Sequence, residues 1–136
     1  MTQEDKELLL KDLCARLPYE VKVKFYDHWV DEYEIIPLTA KLLSDTVYIG
    51  DIKPYLFPLS SMTEEQWREL FETAGYEVRE EDCGRHTEMY YYDMVGHDNT
   101  LYPNCDGIDW LNAHHFDYRG LIKKGLAIDA TGLNIY

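Results

Sequence analysis

The stretch from Thr63 to Gly75 carries every signal of a complete amphipathic helix. Thr63 followed by Gln66 has the spacing at which a hydroxyl and a side-chain amide satisfy backbone N–H groups reciprocally at a helix start. Trp67, Leu70, Phe71 and Ala74 then recur at i, i+3, i+4 and i+7, while Glu64, Glu65, Arg68, Glu69 and Glu72 fall on the opposite side. Gly75 supplies a left-handed cap. A helix with a single apolar stripe has to bury it against another element, so the chain must build a second layer.

That layer is legible as strands. Leu9, Leu10, Leu13, Cys14 and Leu17 recur at three and four, which predicts a first helix from Thr2 to Leu17, capped by Thr2 and stopped by Pro18. The period then changes, because Val21, Val23 and Phe25 alternate with Lys22 and Lys24 as in a strand with one buried face. Two more strands are expected near Glu32 to Leu38 and Thr46 to Ile49, with Ser44 and Asp45 turning between them. Pro54 and Pro58 suit neither a helix interior nor a central strand, so Asp51 to Met62 reads as a connecting loop.

Beyond Gly75, Tyr76 to Arg79 and Thr87 to Val95 read as a hairpin around an acidic turn, followed by a loop from Gly96 to Asn104. Two short helices are expected at Gly107 to His115 and Tyr118 to Lys124, with Asp106 and Asp117 as caps and Gly125 ending the second. Leu126 to Ile128 returns to the sheet. The whole predicts an α+β fold: a small, mainly antiparallel sheet with two or more helices packed on one face. Its 136 residues suit one domain over residues 1–130 with a tail over 131–136.

Charge narrows the partners. With 26 acidic against 13 basic side chains the net charge is −13, which argues against direct nucleic-acid contact, since phosphate binding needs clustered Lys and Arg. The first residues lack the basic and long apolar regions of a secretory signal, and no apolar run approaches the ~20 residues that span a bilayer. Three cysteines, Cys14, Cys83 and Cys105, at unrelated spacings suit a reducing cytoplasm. Neither a membrane partner nor secretion is expected.

Candidate chemistry is sparse. Cys83 and His86 stand at C-x-x-H spacing, with Cys105, His114 and His115 downstream, but adjacent histidines on a helix diverge by about 100° and the second half of a zinc site lacks tight spacing. His97 and Asp98 with Asp93, Asp106 and Asp109 fit a metal-dependent hydrolase only if they converge, and their local sequences are also turn compositions. Neither a glycine-rich phosphate loop nor an activated cysteine is present. No catalytic residue, metal ligand or cofactor is therefore assigned. Arg119, after Asp117 and Tyr118, is a candidate contact to a partner's anionic group.

KPYLFPLSSMTEEQW (Lys53 to Trp67) and DWLNAHHFDYRGLIKKGLAI (Asp109 to Ile128) resemble blocks found in small uncharacterised proteins of bacteriophages and mobile elements of gut Bacteroidales. Phe57 and Lys123 stand where that pattern has arginine and glutamate. The resemblance implies a phage or mobile-element setting and action in the cytoplasm of the host bacterial cell. It supplies no activity or cofactor.

The acids are unevenly spread. Residues 64–98 hold eleven acids against Arg68, Arg79 and Arg85, so this quarter of the chain carries −8 of the −13, interleaved with tyrosines. A negative field with tyrosines suits a protein-binding face, since tyrosine is enriched at interfaces and the field steers a basic partner. Glu80, Glu81, Asp82, Tyr90 and Tyr92 are the expected contacts there. The reading is a non-enzymatic accessory protein that binds a host defence or regulatory protein through that protein's basic surface. The alternatives are a small metal-dependent enzyme using His and Asp residues between His86 and Asp117, and a self-associating structural protein.

Overall fold

The computed structural model describes residues 1–75 and 105–136. Helix α1 spans Gln3–Arg16, and its start is a capping box in which Thr2 accepts the Asp5 N–H at 3.1 Å and Asp5 accepts the Thr2 N–H at 3.2 Å. The buried face is rotated from the expected one. Leu9, Asp12, Leu13 and Arg16 are buried, whereas Leu10 and Cys14 are exposed. Asp12 and Arg16 sit four apart and pair with each other, so a charged couple takes the place of two apolar side chains.

After a short 3₁₀ turn at Leu17–Tyr19 the chain forms an antiparallel hairpin of β1 (Lys22–Asp27) and β2 (Glu32–Pro37), in register from Lys22 opposite Pro37 to Asp27 opposite Glu32. Both strands agree with the sequence pattern. The strand expected at Thr46 to Ile49 is absent. Thr39 instead caps a short helix α2 (Ala40–Asp45) by accepting the Leu42 N–H, and a 3₁₀ turn follows at Ile49–Asp51. Leu42 and Leu43 thereby rest against the core from a helix turn.

The expected loop over Asp51 to Met62 is largely a strand, and a central one. β3 (Ile52–Pro58) pairs antiparallel with β1 and parallel with two short strands, β4 (Phe116–Asp117) and β5 (Ile128–Asp129). Its prolines fall at the limits of the parallel pairing: Pro54 precedes Tyr55, the first residue matched to β5, and Pro58 is the last matched to β4. The order is β2-β1-β3-β4 with β5 also on β3, a mixed sheet in a small α+β fold.

Helix α3 (Glu64–Thr73) opens on the predicted capping box, with Thr63–Gln66 bonds of 2.9 and 3.2 Å, and ends at Gly75 with φ +92°. Leu70 and Phe71 are buried, and Trp67, stacked on Phe71 at 5.7 Å, is half-buried at the edge of the stripe. Helix α4 spans Cys105–Ala113. The helix expected at Tyr118 to Lys124 shrinks to one turn, because Gly120 enters it at φ +74° and Gly125 closes it at φ +75°. Leu126 N–H bonds Leu121 C=O and Gly125 N–H bonds Ile122 C=O, the crossed pair of a Schellman cap. Asp117 still caps it, its carboxylate accepting the N–H groups of Leu121 and Ile122 at 2.9 Å each.

Two apolar clusters result. Leu9, Leu13, Val21, Val23, Ile52, Leu56 and Leu121 make one under α1, and Leu70, Phe71, Trp110, Leu111 and Phe116 make the other between α3 and α4. Strand β3 joins them, since Leu56 belongs to the first and Phe57 packs on the second.

Candidate functional site

The α1 side of the sheet is filled, and the other side of the hairpin is open. Along β1, Val23 is buried toward α1, so Lys24 and Tyr26, of opposite parity to Val23, turn outward. Register carries the same face across neighbouring strands: Lys24 lies opposite Ile35 of β2 and Lys53 of β3, and Tyr26 lies opposite Tyr33. The Lys24 ammonium rests 4.4 Å from the centre of the Tyr33 ring. Tyr26 meets His28 edge-on at 4.6 Å and Tyr33 at 5.0 Å, and His28 Nε2 stands 2.7 Å from Asp51 Oδ2. Lys24, Tyr26, His28, Tyr33, Asp51 and Lys53 line a cleft of about 540 Å³.

The hairpin around this cleft displays apolar surface. Trp29 at its tip is 98% exposed, and Val30, Tyr33, Ile35 and Tyr48 are exposed too. Tyr48 is tied to the tip through the His28 ring at 6.0 Å. The tip is ordered by the Asp27 carboxylate, which accepts the Trp29 N–H at 2.9 Å. Single exposed apolar side chains are ordinary, whereas here five lie on or beside one hairpin.

Arg119, the candidate anion contact, lies elsewhere and is already engaged. Its Nη1 donates to Asp12 Oδ1 at 3.0 Å, while Arg16 Nε donates to Asp12 Oδ2 at 2.8 Å and Arg16 Nη2 to the Phe116 carbonyl at 2.7 Å. Asp12 and Arg16 are fully buried, and both guanidiniums sit over the Tyr118 ring, at 5.3 and 4.8 Å. This node ties α1 to β4 and the turn after it.

The adjacent histidines meet different rings, though not by helical spacing, since both lie past the end of α4. His114 stacks on Trp110 at 4.0 Å, and its Nδ1 lies 2.8 Å from the Trp110 carbonyl. His115, at φ +63°, stacks on Tyr136 at 3.8 Å. Burial, with Arg16 nearby, holds the His115 pKa down to about 4. The Tyr136 hydroxyl accepts the Lys22 N–H at 2.9 Å and donates to the Tyr55 carbonyl at 2.7 Å, and burial pushes its pKa up to about 12. Both rings line a cleft of about 490 Å³ with Thr63 and Gln66.

Cys105 is exposed at the start of α4, and among the described residues no three His, Cys, Asp or Glu side chains converge as a metal site. Cys83, His86, Asp93, His97 and Asp98 lie outside the described residues, as do the expected contacts Glu80, Glu81, Asp82, Tyr90 and Tyr92 and the hairpin predicted around them. Sequence reasoning missed Lys24, Lys53, Tyr26, Tyr33 and Trp29. The alternation at Lys22 to Phe25 signalled an outward lysine, but Lys53 was hidden by the reading of its segment as loop.

No family model matches the chain, and no curated protein or solved structure does either. Among the described residues no helix is long and apolar enough to cross a membrane.

Proposed function

We infer that the chain is a non-enzymatic protein-binding module whose contact surface is the open face of the β1–β2 hairpin. The observation that carries this reading is the exposed set Trp29, Val30, Tyr33 and Ile35 on an ordered hairpin. Burying a tryptophan and a tyrosine of this kind supplies the anchors that dominate protein interfaces. The hairpin needs little rearrangement to bind, because its register, the Asp27 turn and the Tyr26–Tyr33 contact hold it in place. In the phage or mobile-element setting that the two sequence blocks imply, the partner is a host protein.

The test is affinity capture from bacterial lysate by wild type and by Trp29→Ser in parallel, with melting temperature measured on both. The reading expects a protein retained by wild type and lost by the variant, with the two melting alike. Capture unaffected by Trp29→Ser would contradict it.

A further inference from the structure

Lys24 and Lys53 face each other directly across the β1–β3 ladder. Like charges in that position weaken a sheet, and an anion seated between them relieves the repulsion. Among the described residues neither ammonium has a carboxylate at ion-pair distance, and the carboxylate that lines the cleft, Asp51, is turned to His28. The pair therefore forms a local positive pole on a chain of net charge −13.

Around that pole the cleft is walled by rings. Tyr26 and Tyr33 stand beside the lysines, Ile35 lies opposite Lys24 on β2, and Trp29 is exposed at the hairpin tip. A ligand matched to this face carries carboxylates for the lysines and apolar side chains for the rings, both on the same side of an extended chain, at positions two residues apart. We propose that the groove lined by Lys24 and Lys53 binds a short acidic, apolar peptide segment of the partner, with its carboxylates on the two ammoniums and its apolar side chains on Tyr26 and Tyr33. This rests on the protein-binding reading above and adds the partner's chemistry to it. The negative field of the whole chain disfavours long polyanions, which repel the surrounding acids along their length, so a short peptide fits better than nucleic acid.

The probe is a dye-labelled peptide of repeated Glu-Glu-Leu-Leu, which in extended form carries both glutamate and leucine on each side, followed by fluorescence anisotropy against the full chain. Two controls accompany it, the same peptide with lysine for glutamate and an oligouridylate of equal charge. Saturable binding of the acidic peptide is expected, with neither control binding. Lys24→Glu or Lys53→Glu should weaken it by about tenfold or more, the scale of losing a charge contact inside an interface. Circular dichroism of both variants should match wild type. Unchanged affinity in both variants, no binding by wild type, or tighter binding of oligouridylate would each overturn the proposal. If Trp29→Ser releases a captured protein that Lys24→Glu and Lys53→Glu retain, the acidic-segment proposal fails and the protein-binding reading stands.

Discussion

Two groups of charged side chains are treated in opposite ways by this fold. Asp12 lies sealed under α1 between Arg16 and Arg119, each oxygen accepting from one guanidinium. Lys24 and Lys53 lie on the open side of the sheet, facing each other, with the Tyr33 ring beside the Lys24 ammonium. In the first group both Asp12 oxygens are taken within the chain, and the Arg16 bond to the Phe116 carbonyl docks β4 onto α1, while Arg16 Nη1 has no hydrogen-bond partner among the described residues. The second is a like-charge pair with room above it. A charge satisfied internally is structural, and a charge left facing solvent among exposed rings is available for recognition.

The sharpest way to break this contrast is to remove Asp12. Asp12→Ala leaves two guanidiniums without their carboxylate in the interior, and breaking a buried pair from one side costs about 3–5 kcal/mol. Urea unfolding should show that loss, and a change below about 1 kcal/mol would mean the node is solvated like a surface pair. Tyr136→Phe should cost less, about 1–3 kcal/mol, because it deprives the Lys22 N–H and the Tyr55 carbonyl of one shared partner.

His115 adds a pH dependence to the sealed side. Its folded pKa of about 4 lies below the ordinary 6.5, so between those values the unfolded chain holds a proton that the folded chain does not. Stability contributed by His115 is therefore complete above pH 6.5 and is lost as pH falls toward 4. His115→Gln should flatten that slope in urea unfolding measured across the window. An identical slope in the variant would place the effect on another group.

The smallest effects are expected on the open face. Trp29→Ser, Lys24→Glu and Lys53→Glu should each change stability by no more than about 0.5 kcal/mol, as for surface positions generally. Lys24→Ala should sit on the favourable side of zero, because it removes the like-charge opposition to Lys53. A loss of several degrees in melting temperature from Trp29→Ser would show that Trp29 packs against the body.

Most of the α+β frame was legible because it rests on local rules. The Thr2 cap, the Thr63–Gln66 capping box, the α3 stripe and the β1 alternation all act within a few residues, and each is where the sequence pointed. What was hidden depends on contacts distant in sequence. β3 reads as loop because its prolines are judged one strand at a time, whereas their tolerance follows from where β4 and β5 begin and end. The α1 face was turned toward Leu10 and Cys14 because Asp12 and Arg16 look like surface residues until Arg119 arrives from 107 residues away. The i, i+3, i+4, i+7 set of Leu9, Asp12, Leu13 and Arg16 was the available signal, with a charge pair embedded in an apolar stripe. The lysine cleft was half legible, since Lys24 follows from alternation and Lys53 needs β3.

The central claim, that the open hairpin face binds and the sealed side only supports it, is tested most directly by fluorine NMR of the fluorotryptophan-labelled protein. Its three tryptophans lie at the hairpin tip, on α3 and in the second core cluster, at Trp29, Trp67 and Trp110, and Trp29→Phe assigns the first resonance. On titration with the protein captured by wild type, the account predicts that the Trp29 resonance shifts while the Trp110 resonance keeps its position. A Trp29 resonance that stays fixed while Trp67 or Trp110 moves would place the contact on the α3–α4 side and contradict the account.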